Sequence, residues 1–199
     1  MTIIHRLRNL FRSVKRDESG ILTVEAILIF PMLVWTITGA FAFFDGFRQS
    51  AANLKAAYTV GDLISRETGT VTDTYVDSMH ELLDRMVNSR NDIQLRISLI
   101  VYDAEDDRHY VRWSAIRGYC EAWTNDNIGN MRDNLPPMPD QDTLIIVETS
   151  NRYQPIFGSN WVVGSWVSED HTFRNFVFTR PRFTNEIAQN LGPQSCSQA

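Results

Sequence analysis

An apolar run from Ile21 to Phe44 constrains this chain more than any other feature, and it contains one ionisable residue, Glu25. A helix needs about 20 apolar residues to cross the ~30 Å hydrocarbon core of a bilayer, and no other stretch of this sequence is long enough. The run therefore predicts one transmembrane helix over residues 21–44. A carboxylate near the centre of such a helix costs roughly 2.5–3.5 kcal/mol on insertion scales, so Glu25 requires a physical explanation.

Charge is distributed unevenly on the two sides of this run. Residues 1–20 carry five basic and two acidic side chains, a net charge of +3, so the remainder of a chain of net charge −5 carries −8. Basic flanks of a span stay on the cytoplasmic side. The pattern predicts a cytoplasmic basic leader over 1–20 and an exported domain over 45–199, which is enough chain for one modest globular domain. A mildly acidic exported domain does not favour nucleic-acid binding.

The helical pattern continues beyond the apolar run and predicts one helix from Ile21 to Arg66. At 1.5 Å per residue this helix would be roughly 70 Å long, with its first half in lipid and its second half packed on the domain. Gly69 lies at the expected stop. The residues expected to face the domain share one helical stripe, which consists of Phe47, Ala51, Leu54 and Tyr58, followed by Val60, Leu63 and Ile64.

Further elements follow in the exported part. Thr72-Asp73-Thr74 offers a cap for a second helix, whose apolar stripe extends from Tyr75 to Val87. Apolar residues then alternate with polar ones, which is typical of strands. Strands are predicted over 93–101, 110–115, 143–149 and 173–179. The predicted fold class is therefore α+β, with the long N-terminal helix packed on an antiparallel sheet of about four strands, plus a second helix.

Residues 118–142 are rich in turn-forming residues and predict a long connection with a short helix near 128–131. Long loops in compact domains are often functional, so this loop is expected to face a partner or a ligand. The two cysteines, Cys120 and Cys196, both lie in the predicted exported part. In a periplasm they could form a disulfide, worth roughly 4 kcal/mol in the chain-entropy model. The alternative is two unrelated thiols.

Motifs for catalysis or cofactor binding are missing from the sequence. It contains no glycine-rich phosphate loop, no paired-cysteine metal motif, no His-Glu-x-x-His and no Gly-x-Ser-x-Gly. The four histidines are scattered, and Cys120 has no histidine near it in sequence. We therefore predict no catalytic, cofactor-binding or metal site, and a protein that is not an enzyme.

The segment around Gly20 resembles a known processing signal. Asp17-Glu18-Ser19-Gly20, then Ile21-Leu22-Thr23-Val24-Glu25 and an apolar helix, is similar to the type IV prepilin class. The Val24-Glu25-Ala26 core, Pro31 and the Phe43–Arg48 end resemble the TadE/TadF-like pseudopilins of the tight-adherence (Flp pilus) machinery. The similarity extends from Asp17 to Arg48.

This resemblance implies a minor pseudopilin that a prepilin peptidase cleaves between Gly20 and Ile21, which would make Glu25 the fifth residue of the mature chain. The protein would cross the bacterial inner membrane once, with a cytoplasmic N-terminus and a periplasmic C-terminal domain. That domain would contact other pseudopilins, the major pilin or the inner-membrane assembly platform. A long, half-buried N-terminal helix is also the architecture of pilins, and Pro31, which lacks a backbone N–H, predicts a kink in it.

Cleavage after Gly20 would also explain the carboxylate in the span. It would create an α-amine on Ile21 with an ordinary pKa of roughly 7.7–8.0, which is usually cationic. Glu25 lies four residues further on, on the same helix face. Its carboxylate could pair with that amine or with the amine of a neighbouring subunit, and the resemblance implies the second pairing. A carboxyl near the helix start that remains hydrated is the alternative.

Two other readings of the sequence remain open. Ala40-Phe41-Ala42 fits a signal-peptidase site, which would release a secreted protein that begins at Phe43. Glu25 argues against this because it interrupts a region that should be uncharged. The other alternative is an unprocessed single-pass membrane protein whose exported domain binds a ligand or peptidoglycan. The mature N-terminus separates the three readings.

Overall fold

A computed structural model describes residues 20–88, 91–154 and 171–194. In this part of the chain, helix α1 spans Ile21–Ser65 and helix α2 spans Asp73–Val87. A 3-10 helix spans Ile128–Asn134. The strands are β1 (Val71–Thr72), β2 (Ile93–Asp103), β3 (Arg108–Arg117), β4 (Thr143–Arg152), β5 (Thr172–Thr179) and β6 (Gln189–Asn190). The predicted leader, residues 1–19, lies outside the described residues.

Helix α1 is continuous over 45 residues and ends one residue before the predicted end. Between Thr23 and Ser65 it contains a segment with a mean hydropathy of 2.1, none of which is buried. The helix is long and apolar enough to cross a membrane, although an N-terminal signal sequence has the same properties. Its last carbonyl is satisfied by the segment after β5, where the Arg182 N–H donates to the Ser65 carbonyl over 2.8 Å.

The C-terminal part of α1 packs on β4 and β5, but with a different face from the predicted one. The buried face contains mainly small or β-branched residues, namely Asn53, Ala56, Ala57, Val60 and Ile64. Phe47, Leu54 and Tyr58 are instead 62%, 42% and 58% exposed. The predicted stripe was therefore wrong for these residues. Small side chains allow the helix to approach the sheet closely, whereas the aromatic stripe would hold it away.

Gly61 lies in this close contact and provides a test of it. A Cβ built there would meet the side chains of Val147, Val177 and Thr179 at 3.8 Å, an ordinary packing distance. We therefore expect Gly61→Ala to raise the free energy of unfolding by about 0.5–1 kcal/mol, because alanine is the better helix former. Gly61→Leu should lower it by roughly 1–3 kcal/mol through overpacking. Chemical denaturation of both variants in detergent checks this, and equal effects would contradict the packing.

The four-stranded sheet has the order β3-β2-β4-β5 and is antiparallel throughout. This confirms the predicted α+β class, the sheet and the second helix. On one face, Leu95, Ile97 and Leu99 of β2 join buried side chains of α1 and α2 in the main core. On the other face, a smaller core lies under the 3-10 helix, and its members are Ile100, Ile128, Met131, Leu144 and Ile146.

Helix α2 begins and ends where its sequence signals predicted. The Thr72 hydroxyl accepts a hydrogen bond from the Tyr75 N–H over 3.3 Å, as an N-cap side chain does. At the other end, Asn88 adopts the left-handed conformation with φ of 47°. The predicted short helix in the 118–142 connection is also confirmed, as the 3-10 helix.

The C-terminal segment is more ordered than its polar composition suggested. Gln189–Asn190 forms β6, which pairs in parallel with β1 in a separate two-stranded sheet. Beyond it, Asp73 at the start of α2 accepts hydrogen bonds from the Gly192 N–H at 2.6 Å and from the Gln194 side chain at 3.3 Å. A polar segment at the end of a chain is usually frayed, but residues 189–194 are held in place because Asp73 provides them with a fixed acceptor.

The hydrogen bonds between Asp73 and the C-terminal segment, here called the Asp73 anchor, should depend on pH. The Gly192 N–H, together with the Arg117 guanidinium, lowers the pKa of the Asp73 carboxyl below its ordinary value of 3.8. The ionised Asp73 carboxylate therefore stabilises the folded state fully at pH values above its ordinary pKa. This stabilisation is lost as the pH falls through the lowered pKa of the folded protein. The NMR resonance of the Gly192 amide should shift on acidification in the wild type and in Asp77→Asn, which keeps the anchor. It should not titrate in Asp73→Asn, and a similar transition there would contradict the assignment.

Candidate functional site

The predicted processing site coincides with the start of α1. Gly20 precedes the first helical residue, Ile21, with φ of −80° and ψ of −13°, and no side chain caps the helix there. A Cβ on Gly20 would meet no described atom within 4 Å, so the residue is accessible on the described side. The bond that a prepilin peptidase would cut therefore joins an exposed glycine to the first residue of a helix.

Glu25 projects from the second turn of this helix and is exposed. No described residue forms an ion pair with it. Its neighbours along the helix are apolar and exposed as well, for example Val24 at 59% and Leu28 at 69%. Four residues correspond to about 6 Å of helix rise, so the Ile21 amine of a cleaved chain would lie within reach of this carboxylate. A carboxylate at an apolar helix end that packs on no described residue can form an ion pair with a cationic group of the same chain or of another one.

Two threonine hydroxyls further along the apolar run are satisfied within the helix. The Thr36 hydroxyl donates to the Met32 carbonyl over 2.8 Å, and the Thr38 hydroxyl donates to the Val34 carbonyl over 2.7 Å. Such bonds allow hydroxyls to lie in lipid without an external partner. Pro31 lies inside the uninterrupted helix, and the predicted kink at this position stays a prediction. Glu25 thus differs from Thr36 and Thr38, whose side chains bond to their own helix.

The exposed apolar surface of α1 continues past Phe44 onto the domain. Phe43 and Phe47 contact each other edge to face, with ring centroids 4.7 Å apart. Leu54, Tyr58 and Leu63 extend the same exposed character toward the end of the helix. Soluble monomers rarely expose contiguous apolar patches of this kind, which usually mark interaction surfaces. Sequence periodicity identified this stripe but assigned it to the core.

A tyrosine directly after β4 connects the sheet to α1 near the end of the apolar run. Tyr153 is 4% exposed, and its hydroxyl lies 3.2 Å from the Ala42 carbonyl oxygen and 3.3 Å from an Asp45 carboxylate oxygen. Its ring lies 3.6 Å from the position of a Cβ on Gly46. No signal in the sequence indicates this contact, because Tyr153 and Ala42 are 111 residues apart in the chain.

Of the two cysteines of the candidate disulfide, one lies in the described part of the chain. Cys120 lies in the connection that follows β3, whereas Cys196 lies outside the described residues. The chain before Cys196 is held close to β3, because the Gln194 side chain accepts a hydrogen bond from the Ile116 N–H over 3.0 Å. Gln194 and Ile116 are two and four residues from the respective cysteines, which is compatible with pairing. The disulfide stays a prediction.

A charged cluster that the sequence did not reveal lies on the sheet face opposite α1. Arg96 and Glu148 are directly opposite each other on β2 and β4 and form a two-pronged ion pair with distances of 2.6 and 2.8 Å. Their side chains are only 12% and 13% exposed. Tyr119 and Trp123 stack on the Arg96 guanidinium, at 4.7 and 4.4 Å from their ring centroids. Each charge is therefore partnered, which favours a structural role.

A surface cavity of about 320 Å³ lies beside this cluster. Its lining includes Gln94, Arg96, Tyr119, Glu148, Ser150 and Arg174. Burial raises the pKa of the Tyr119 hydroxyl, which therefore stays protonated at neutral pH. Tyr119 belongs to the 118–142 connection, which was expected to face a partner or a ligand. The described residues of the lining can donate hydrogen bonds, but they include no nucleophile paired with a base.

The remaining titratable residues do not assemble into a reactive centre within the described residues. His80 lies 2.7 Å from the Ile93 carbonyl oxygen, His109 packs on Tyr102, and His171 packs on Phe173. No group of three metal-ligating side chains comes together in the described ranges. His5 lies outside them.

Comparison of the chain with family models, with curated proteins and with solved structures yields no match.

Proposed function

We propose that this protein is a minor pseudopilin of a tight-adherence (Flp) pilus machinery, processed by a prepilin peptidase between Gly20 and Ile21. Helix α1 anchors it in the bacterial inner membrane, with the basic leader in the cytoplasm and the α+β domain in the periplasm. The observation that carries the proposal is the position of Glu25. It lies four residues after Ile21, the first residue beyond the scissile bond, at the exposed start of a helix that is otherwise apolar over its first half.

The two halves of α1 support this role in different ways. The first half offers an apolar surface without buried residues, as a segment that lies among lipids or other helices would. The second half is attached to the domain through one face only and leaves Phe47, Leu54 and Tyr58 exposed. Other pseudopilins, the major pilin or the assembly platform are the partners that would cover these surfaces.

A secreted protein released after Ala42 is less compatible with the fold. The Ala42–Phe43 bond lies inside continuous helix, and the Ala42 carbonyl accepts the Tyr153 hydroxyl. Cleavage there would remove a contact that holds the end of β4. The second candidate function is therefore a single-pass periplasmic binding protein that keeps its anchor. The cavity of about 320 Å³ beside Arg96 is the observation that favours it.

The mature N-terminus tests the proposal directly. The full chain should be expressed with a prepilin peptidase of such a machinery, extracted from membranes and measured by intact-mass and N-terminal peptide analysis. We expect the chain to begin at Ile21. A chain that begins at Phe43 would indicate a secreted product, and one that keeps Met1 or Thr2 would indicate an unprocessed anchor. Gly20→Leu, which blocks the residue before the scissile bond without touching described neighbours, should accumulate uncleaved.

A further inference from the structure

One end of the sheet lies at the same level as the end of the apolar span. Strand β4 runs along α1 in the opposite direction, so its later residues lie progressively closer to the span. Three contacts define this direction: Val147 lies beside Gly61, Thr149 bonds to Asn53 over 3.2 Å, and Tyr153 lies beside Gly46. The opposite end of the sheet, with the β2–β3 turn at residues 104–107, is therefore the end farthest from the span.

The near end is held in place by several contacts around Tyr153. Its hydroxyl bonds to the carbonyl of Ala42, which lies two residues before the end of the apolar run, or about 3 Å along the helix axis. Its N–H donates to the His171 carbonyl over 2.8 Å, and its ring packs on Phe173 with centroids 5.5 Å apart. The end of β4 and the start of β5 are thus fixed to α1 at the level where the span ends.

The side chains at this level have the chemistry of a membrane–water interface. Phe43, Phe44 and Phe47 are 70%, 66% and 62% exposed, and aromatic rings are enriched where a bilayer meets water. Arg48 and Arg152 are exposed near the same level. Exposed arginines here can reach lipid phosphates, since basic residues close to an anionic membrane each gain about 1 kcal/mol.

The far end of the domain has the opposite charge. Its turns carry Asp103, Glu105, Asp106, Asp107 and Asp140. Arg108, at the start of β3, and Arg132, through its ion pair with Asp107, compensate only part of this charge. At the near end, Arg48 and Arg152 balance Asp45 and Asp92. An anionic membrane would therefore repel the far end more than the near end, so charge and contacts favour the same orientation.

We propose that the near end of the sheet, formed by Tyr153, His171 and Phe173 against residues 42–48 of α1, lies on the anionic lipid headgroups of the membrane that α1 crosses. The domain thus rests on the bilayer surface instead of standing clear of it on a length of bare helix. This inference rests on insertion of α1. It does not depend on removal of the leader or on pilus assembly, so it can fail or succeed separately from the proposed function.

Site-specific photocrosslinking to lipid tests the arrangement. The full chain would carry a photoreactive phenylalanine analogue at one position, in vesicles of phosphatidylcholine and phosphatidylglycerol, and lipid adducts would be measured by mass spectrometry. The positions are Phe47 on the helix, Gln154 at the near end and Asp106 at the far end, all of which are exposed. The probe at Gln154 keeps Arg48 and Arg152 in place. We expect adducts at Phe47 and Gln154, several-fold more than at Asp106.

Each other outcome overturns the inference. Adducts at Phe47 with Gln154 no higher than Asp106 would mean that the domain stands clear of the lipid. The absence of adducts at Phe47 would mean that the membrane surface does not lie at this level of α1. Omission of phosphatidylglycerol should lower the yield at Gln154 several-fold, and an unchanged yield would overturn the assignment to anionic headgroups. Tyr153→Phe, which keeps the ring but loses both hydroxyl contacts, should lower the yield at Gln154 and not at Phe47. A wild-type yield at Gln154 would mean that these contacts do not hold the near end at the membrane.

Discussion

Glu148→Ala is expected to lower the free energy of unfolding of the domain by about 3 kcal/mol, because it leaves the Arg96 guanidinium largely buried without its partner. The Arg96 guanidinium donates two hydrogen bonds to the Glu148 carboxylate and one to the Glu121 carbonyl at 2.8 Å, and two aromatic rings stack on it. The loss of the carboxylate also removes the acceptor of the Trp123 indole N–H, which lies 2.5 Å from it. Denaturant unfolding of the full chain in detergent, followed by tryptophan fluorescence, measures the change.

Two matched variants show whether the cost comes from the unpaired charge. Arg96→Met combined with Glu148→Leu removes both charges and should destabilise much less than Glu148→Ala alone, because well-packed apolar replacements of a buried pair are often neutral. Glu81→Ala breaks an ion pair of the same residue types on α2, whose side chains are 75% and 64% exposed. It should cost at most about 0.5 kcal/mol. Equal effects of Glu148→Ala and Glu81→Ala would contradict the role of burial.

The sequence predicted those elements that have a strong periodic signal. The predicted ends of α1 and α2 lie within about a residue of the observed ends. The signals for them, namely Thr72, Gly69 and the apolar stripes, are local in sequence and act on the helix next to them. Both long strands of the first hairpin followed from alternation. The short strands β1 and β6 have two residues each, too few for any period, and their pairing depends on contacts between distant parts of the chain.

The choice of the buried face of α1 shows a second limit. Two stripes with helical spacing are present, one with Phe47, Leu54 and Tyr58 and one with Asn53, Ala57 and Val60. Hydrophobicity alone favours the aromatic stripe. The sheet packs on the stripe with the smaller side chains, because a closer approach of helix and sheet gives denser packing. Which stripe fits depends on the surface of β4 and β5, and the periodicity of α1 contains no information about that surface.

The Arg96 cluster could not be predicted because strand order and register were unknown. Arg96 and Glu148 each lie at a polar position in an alternating strand, and opposite charges on neighbouring strands favour a cross-strand pair. That inference requires β2 to pair with β4 in the observed register, which sets Arg96 opposite Glu148. Gly20, Ile21 and Glu25 could be proposed from the sequence alone because their expected chemistry is local in sequence, and their roles stay predictions.

Glu25→Ala is expected to leave membrane insertion intact and to remove the protein from its assembly. Insertion should not suffer, because alanine avoids the roughly 2.5–3.5 kcal/mol cost of a carboxylate near the centre of a span. If the carboxylate pairs with the Ile21 amine of a neighbouring subunit, its loss should reduce co-purification with the assembly platform at least about tenfold, which corresponds to ~1.4 kcal/mol.

The matched control is Thr36→Ala, whose lost hydroxyl bonds only to the Met32 carbonyl of the same helix. Both variants should appear in the membrane fraction at wild-type levels. If Glu25→Ala then co-purifies as Thr36→Ala does, the carboxylate serves only its own chain or the surrounding water, and pairing between subunits is excluded.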